Sequence, residues 1–234
     1  PKIVKKCMGA LKYLMKGSPF KTQDYVELLT LQYVVFKMIR SKGMLEIESH
    51  IEAPKDSALF TNYKSFLKNE HAVHFFCDYL RLMTMGVENH YMIEDLMDAD
   101  LEVGHHEHHV VAHAWTNLGD SFPALGIVAA VLGVIITMGS ISEPPEVLGR
   151  LIGAALVGTF LGILMSYGYV SPIGSFLAKY FDEEHYYLVC IKAGILSHLK
   201  GNAPAVTVEF ARNVIPPSCR PDFKTIEEAC SAAS

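Results

Sequence analysis

The sequence predicts an all-α integral membrane protein in which a helical hairpin crosses the bilayer and adjoins helical cytoplasmic segments. Two apolar stretches, residues 123–141 and 151–170, contain no charged side chain, and only a short loop separates them. Each is about 20 residues long, enough for an α-helix to span the roughly 30 Å hydrocarbon core of a bilayer. The rest of the chain has helical periodicity and no convincing strand. With only 234 residues, a soluble protein would have too little chain to bury both stretches.

The hydropathy pattern sets the expected domain boundaries. We expect a cytoplasmic helical domain (residues 1–120), a transmembrane helix (121–141), a periplasmic loop (142–150), a second transmembrane helix (151–173) and cytoplasmic C-terminal helices (174–234). Most Lys and Arg residues precede the hairpin, and the others follow it, apart from Arg150 at the loop. By the positive-inside rule both flanks of the hairpin are therefore cytoplasmic.

Outside the spans, apolar periodicity interrupted by Gly and Pro predicts shorter helices. These cover residues 21–42, 44–51, 71–85, 88–101, 183–199, 205–214 and 222–232. The chain opens with a lysine-rich segment comprising Lys2, Lys5, Lys6, Lys12, Lys16 and Lys21. The lysines form either a juxtamembrane basic segment, which implies that further chain precedes them, or the solvated face of a helix.

Composition excludes several classes of function. The five cysteines are scattered without CxxC spacing, so they predict reduced thiols rather than a disulfide framework or a zinc module. A formal charge of -5 without a concentrated basic face argues against a nucleic-acid partner. The chain also lacks a nucleotide-binding loop. We therefore expect no cofactor and no nucleic acid.

A histidine-rich run occupies residues 104–113. His105, His109 and His113 follow one another at one helical turn and could chelate a divalent metal. The run does not match the HExxH pattern of zinc enzymes. We favour a solvated polar helix just outside the membrane whose imidazoles respond to pH, with no metal site. The metal site is kept as the weaker alternative.

Small residues recur every four positions along one side of the second span: Ala154, Gly158, Gly162 and Ser166. Such a face allows close helix packing, either between the two spans or with other subunits or a partner helix. The hydroxyl groups well inside the spans belong to Thr137, Thr159, Ser166 and Tyr167. Such groups usually bond a carbonyl of their own helix.

Several motifs in order carry a family resemblance. They are GDSFPALGIVAA (119–130), VGTFLGIL (157–164) and YGYVSP (167–172), followed by residues 203–212. Together they resemble the MotA family of flagellar motor stator proteins, within the MotA/TolQ/ExbB proton channel superfamily. The likeness runs almost from end to end. Because that family has four membrane helices and this chain aligns from just after the second, the first two are expected to be absent from it.

The resemblance implies a multi-pass subunit of the bacterial inner membrane that serves motility and chemotaxis and is not an enzyme. Its expected partners are MotB, membrane lipid, the rotor switch protein of the flagellar C-ring and copies of itself, with five copies around a MotB dimer. Neither span carries a carboxylate, yet a proton path through hydrocarbon requires a titratable group. In the family, an aspartate in MotB's membrane helix has that role.

The resemblance also assigns residue roles. Arg40 and Glu48 match the charged pair that engages the rotor. Pro123 and Pro172 match two prolines that couple ion flow to movement, and we expect them at the start of the first span and the end of the second, where proline is tolerated.

Two further positions concern the ion. Thr159 matches a pore-facing threonine, whereas Ala130 stands where sodium-driven relatives carry a second threonine. A single hydroxyl group compensates poorly for the hydration shell that a sodium ion must lose, so we expect the chain to couple to protons.

Three alternatives remain open. A TolQ/ExbB-type energiser of a periplasm-spanning partner belongs to the same superfamily, although Arg40 and Glu48 favour the motor. A metal-dependent membrane enzyme would need a catalytic constellation that the sequence does not contain. A purely structural scaffold would tolerate the loss of Thr159 and of both prolines.

Overall fold

The computed structural model describes residues 2–15, 17–87 and 89–233, and these residues form helices and no strand. Lys16, in the lysine-rich opening, and Glu88, the expected start of a helix, lie outside the described residues. The helices are α1 (Lys2–Leu14), α2 (Thr22–Lys42), α3 (Leu45–Glu52), a 3-10 turn (Phe60–Asn62), α4 (Lys64–Lys68), α5 (Glu70–Thr84), α6 (His90–Gly139), α7 (Pro145–Met165), a π-turn (Ser166–Val170), α8 (Ser171–Leu199), α9 (Pro204–Asn213) and α10 (Phe223–Ala232). The all-α prediction is confirmed.

Five of the shorter helices, α2, α3, α5, α9 and α10, begin and end within one residue of their predicted positions. Gly43 ends α2 with a φ of 90°, and its N–H donates to the carbonyl of Ile39 at 2.9 Å. A residue with a side chain rarely adopts that φ, so this helix end follows directly from the sequence. The 3-10 turn and α4 were not predicted, because so few residues carry no readable periodicity.

Helix α6 joins two elements that the sequence divides. The expected helix at residues 88–101 and the first span belong to one helix of 50 residues. Pro123 therefore lies inside a helix, and its expected place at a helix start was wrong. A proline in a helix interior removes one hydrogen bond and favours a kink, but strong helical sequence on both sides continues past it.

The connection between the spans is shorter than expected. α7 begins at Pro145, so residues 145–150 are helical rather than part of the loop. Proline suits the first turn of a helix, where its missing N–H is not needed, and Glu146 places a negative charge at the positive end of the helix dipole. Among the described residues, two stretches are long and apolar enough to cross a membrane: α6, and the continuous helical segment Pro145–Leu199.

The chain folds into two compact units. The hairpin unit contains residues 1–17 and 106–181, and the helical unit contains residues 18–105 and 182–234. In the hairpin unit, α1 packs on α6. Trp115 Nε1 donates to the carbonyl of Cys7 at 3.4 Å, and Lys6 pairs with Glu107 at 2.8 Å. A small apolar core lies there, formed by Ala10, Val111, Ala112, Leu177, Tyr180 and Phe181.

The helical unit has a large core centred on aromatic side chains. Phe36, Phe60, Phe66 and Phe76 are fully buried. The ring of Phe76 meets the other three edge to face, with centroids 5.8 to 6.4 Å apart. Edge-to-face pairs are favourable beyond the area that they bury. This cluster joins α2, α4 and α5 around the 3-10 turn.

All five cysteines are free thiols, in agreement with the prediction. Cys77, Cys190 and Cys230 are buried in the helical unit. Burial disfavours the thiolate and raises the pKa of Cys77 to about 12 and that of Cys230 to about 11. These two thiols are therefore protonated and unreactive at neutral pH.

Candidate functional site

The two spans approach each other through glycine. A Cβ on Gly126 of α6 would lie 2.9 Å from the carbonyl oxygen of Gly158, and a Cβ on Gly162 would lie 2.6 Å from the carbonyl oxygen of Phe122. A Cβ on Gly158 would lie 2.9 Å from that of Ala129. No side chain fits between the backbones at these points. Close approach through small residues is how helices associate where no hydrophobic effect drives them together.

Part of the small-residue face predicted for the second span packs between the two spans. Gly158 and Gly162 contact α6, and Ser166 is buried one turn beyond Gly162, whereas Ala154 is exposed and Ala155 lies against Gly133. Each residue turns an α-helix by about 100°, so a repeat of four drifts by about 40° per step. Contact with a neighbouring helix is kept by mixing steps of three and four.

Thr159 faces the first span. Its Oγ1 donates to the carbonyl of Gly126 at 3.3 Å, whereas Thr137 Oγ1 donates within its own helix to Gly133 at 2.9 Å. The expectation of a bond within the same helix is thus confirmed for Thr137 and was wrong for Thr159, because the glycine contact brings a foreign carbonyl within reach. Ala130 follows Gly126 by one helical turn and is partly buried.

Pro123 and Pro172 lie on segments that touch. A Cβ on Gly119, one turn before Pro123, would overlap the hydroxyl oxygen of Ser171 and lie 3.2 Å from its nitrogen. Pro172 is the second residue of α8, which begins directly after the π-turn, so its expected place at the end of a helix was also wrong. The helical segment is continuous through the π-turn into α8, so Pro172 leaves one carbonyl of the preceding turn without a backbone donor.

Arg40 and Glu48 lie on either side of the turn that joins α2 to α3. Both are exposed, and neither forms an ion pair with another residue that the structure describes. One turn before Arg40, Phe36 stacks on His198 with centroids 4.6 Å apart. Burial lowers the pKa of His198, and the positive charge of Arg40 lowers it further. The charged pair is thus available for a partner.

Two of the candidate metal ligands, His105 and His113, have different neighbours. His113 Nδ1 lies 3.2 Å from Asn117 Oδ1, one turn further along α6. In the helical unit, His105 Nε2 lies 4.0 Å from Asp182 Oδ1, and its ring lies 4.4 Å from that of His185. An imidazole beside a carboxylate is a common arrangement that needs no metal. His113 therefore does not share the neighbours of His105, and a metal site in this run stays a prediction.

Comparison with known proteins agrees with this architecture. The model of the MotA/TolQ/ExbB proton channel family matches residues 68–188. Motility protein A of Escherichia coli strain K12 is 40% identical over 227 residues, which are 97% of this chain and 77% of that protein, and Motility protein A of Salmonella typhimurium strain LT2 matches to the same extent. The chain belongs to the MotA/TolQ/ExbB proton channel family. The fold is also similar to a solved structure of C. jejuni MotAB, with a TM-score of 0.73 and 22% identity over 92% of this chain and 76% of that one.

Membership of the MotA/TolQ/ExbB family confirms the resemblance found in the sequence. The family match contains both spans and with them Pro123, Pro172, Thr159 and Ala130. The alignment with the Escherichia coli protein extends over nearly the whole chain. It thus includes α2 and α3, which lie before the family match.

Three features of the hairpin unit were not predicted from the sequence. They are the contact between Gly119 and Ser171, the π-turn, and the burial of Ser166 without a hydrogen-bond partner among the described residues. A glycine four residues before a proline was the available signal for the contact. The π-turn had none, because a single extra residue in an apolar run leaves the composition unchanged.

Proposed function

We propose that this chain is a stator subunit of the bacterial flagellar motor, which forms with MotB a proton-conducting complex that turns ion flow into torque. The observation that carries the proposal is the 40% identity to Motility protein A along 97% of the chain. The tightly packed, carboxylate-free hairpin supports it, since the titratable group for a proton must then come from a partner or from further helices. No covalent catalysis is involved.

The proposed assembly lies in the inner membrane with both flanks of the hairpin in the cytoplasm. Five copies surround a MotB dimer whose aspartate carries the proton. The exposed apolar side chains of the two spans, such as Leu125, Ile136 and Phe160, are available to lipid, to other copies and to the MotB helix.

Arg40 and Glu48 are the proposed contacts with the rotor switch protein. They suit the role because they are exposed, oppositely charged and without ion-pair partners among the described residues. Exposed charges of this kind steer and align a partner more than they hold it. Reversal of either charge should therefore reduce torque without affecting assembly.

Pro123 and Pro172 are proposed to let protonation in the partner move the helices. Each removes one backbone donor, and the contact between Gly119 and Ser171 links the two weakened segments. We expect Pro123→Leu and Pro172→Leu to assemble but to lose torque. Normal swimming by either variant would contradict this role.

Proton coupling is proposed from Thr159 and Ala130. The Thr159 hydroxyl offers a single oxygen for coordination, and the methyl group of Ala130 offers none. A sodium ion would thus find few ligands from this chain. Motility should persist when sodium is removed.

The deciding experiment is torque in tethered cells that lack their own MotA and carry the full-length gene of this protein with its MotB. Rotation in sodium-free medium is expected. Arg40→Glu and Glu48→Lys should reduce torque, while Lys64→Glu and Glu227→Lys, which reverse exposed charges elsewhere, should not. Rotation only with sodium would overturn the proton assignment.

Failure to rotate in either medium despite membrane assembly would overturn the motor assignment. That result would favour the TolQ/ExbB-type energiser. That alternative is not favoured at present, because the relatives described above are motility proteins.

A further inference from the structure

Ser166 places a hydroxyl group in the interior of the hairpin unit. Its side chain is fully buried, and its Oγ has no hydrogen-bond partner among the described residues. A serine in a membrane helix can satisfy its hydroxyl on a carbonyl of the preceding turn, as Thr137 does. Ser166 does not, so the group is left for another partner.

A second such hydroxyl follows at the other end of the π-turn. The N–H of Ser171 donates to the carbonyl of Ser166, which is the five-residue bond of a π-helix. That bond sets the two serines one above the other on the same side of the helix. Ser171 Oγ is also buried and has no hydrogen-bond partner among the described residues.

Contacts with α6 flank Ser166 on both sides, next to the turn that Pro123 weakens. Gly162, one turn before Ser166, lies against the carbonyl of Phe122, and Ser171 lies against Gly119. Ser166 lies in the sequence between these two contacts with α6. The carbonyl of Gly119 would normally accept from the residue four positions later, but that residue is Pro123, which has no N–H. Two buried hydroxyls and one carbonyl thus lack their usual partners in this part of the hairpin unit.

We propose that this part of the hairpin unit holds a buried water, bound by Ser166 Oγ, Ser171 Oγ and the carbonyl of Gly119. Buried polar groups are nearly always hydrogen-bonded, and a hydroxyl left unpaired in an apolar setting costs free energy. Three such groups supply the two to four partners that a buried water needs. In a membrane helix, ordered water commonly satisfies the backbone groups that proline frees.

Such a water would also relay protons, and this second step rests on the proposed function. A water hydrogen-bonded to two hydroxyls can accept one proton from the side of the partner's carboxylate and release another toward the cytoplasm. The water and both serines are unchanged afterwards, so the step needs no further reactant.

Thermal stability of the full-length protein in its complex with MotB tests the water without relying on function. If water is bound, Ser166→Ala and Ser171→Ala each remove one of its partners, and Tm should fall by about 2–4 °C. If the site is dry, each substitution removes an unsatisfied hydroxyl, and Tm should rise or stay constant, which would overturn the proposal. Ser175→Ala is the matched control, because the Ser175 hydroxyl is exposed and donates to the carbonyl of Ser171 at 3.2 Å.

Proton flux through the same complex in liposomes tests the relay. The Ser166→Ala, Ser171→Ala double variant should lose most of the flux, and Ser175→Ala should retain it. Equal flux in the double variant and the unaltered complex would overturn the relay. Absence of flux in the unaltered complex would instead count against the proposed function, so the two failures can be told apart.

Discussion

The side-chain carboxamide of Gln32 rests on the backbone of Gly194. Gln32 is fully buried in α2, and its Nε2 donates to the carbonyl of Cys190 at 3.4 Å. A Cβ on Gly194 would overlap Gln32 Oε1 and lie 2.8 Å from Cδ. α8 can therefore pack on α2 at this point only through glycine.

Gly194→Ala should destabilise the helical unit. The added methyl group must displace a buried polar side chain, and overpacking of this kind costs about 1–3 kcal/mol. Thermal unfolding in detergent would measure the loss. Gln32→Ala should restore part of it in the double variant, because it frees the space, whereas additive losses would show that the two residues are not coupled.

Gly162→Ala should loosen the two spans. Its Cβ would lie 2.6 Å from a backbone oxygen of α6, so the helices would have to move apart. We expect a loss of about 1–3 kcal/mol, measured as a lower Tm. Gly153→Ala in the same helix is the control. It has no atom within 4 Å of the new methyl group among the described residues and should be neutral or gain up to about 1 kcal/mol.

Thr159→Val should remove the hydrogen bond that crosses the hairpin while keeping the shape of the side chain. Interhelical hydrogen bonds in membranes contribute about 0.6 kcal/mol on average, so the fall in Tm should be small. Under the proposed function, torque should fall far more than stability does. Thr137→Val, which removes a bond within one helix, should leave torque unchanged. A loss of torque in both variants would show a general requirement for hydroxyls in the spans.

His198 should make the helical unit sensitive to acid. Its pKa is lowered in the folded state, so the unfolded chain binds the proton more readily. The stability that neutral His198 allows is fully present above about pH 6.5, the ordinary pKa of histidine, and is lost as the pH falls toward the lowered value. Tm measured at pH 7.5 and at decreasing pH should show this.

The matched variants separate His198 from other histidines. His198→Phe keeps the stack on Phe36 and should flatten the pH dependence, and Arg40→Gln should reduce it, since Arg40 adds to the shift. His74→Gln, at an exposed position on α5, should leave it unchanged. An unaltered slope in His198→Phe would assign the effect to another group.

Apolar pattern and turn residues were enough to predict most of the helices. The helix end at Gly43, with its positive φ, and the two charge-free spans depend only on residue types that are visible in the sequence. The predictions that were wrong concern features that depend on neighbouring residues and helices. Pro123 was expected to begin a helix, because proline disrupts the helical hydrogen bonds of its own turn. α6 continues past it because the residues on both sides favour a helix.

The candidate site shows the same limit. Glycines and small residues marked the packing face, but the choice of Ala155 over Ala154 depends on how the two spans meet. Thr159 was expected to bond within its own helix, and only the close approach of Gly126 offers it another carbonyl. The exposed positions of Arg40 and Glu48 agree with the role inferred from family resemblance, which remains a proposal.

The π-turn has a bearing on how this part of the chain tolerates insertions and deletions. A π-turn holds one residue more than the α-helical turn that it replaces, and the flanking helices stay in phase with their neighbours. Loss of a single codon from Ser166–Val170 would convert the π-turn into an α-turn and keep Gly162 and Gly174 against α6. The same loss elsewhere in the span would rotate everything beyond it by about 100°. Gaps of one residue in alignments of related chains are therefore expected to fall within this turn.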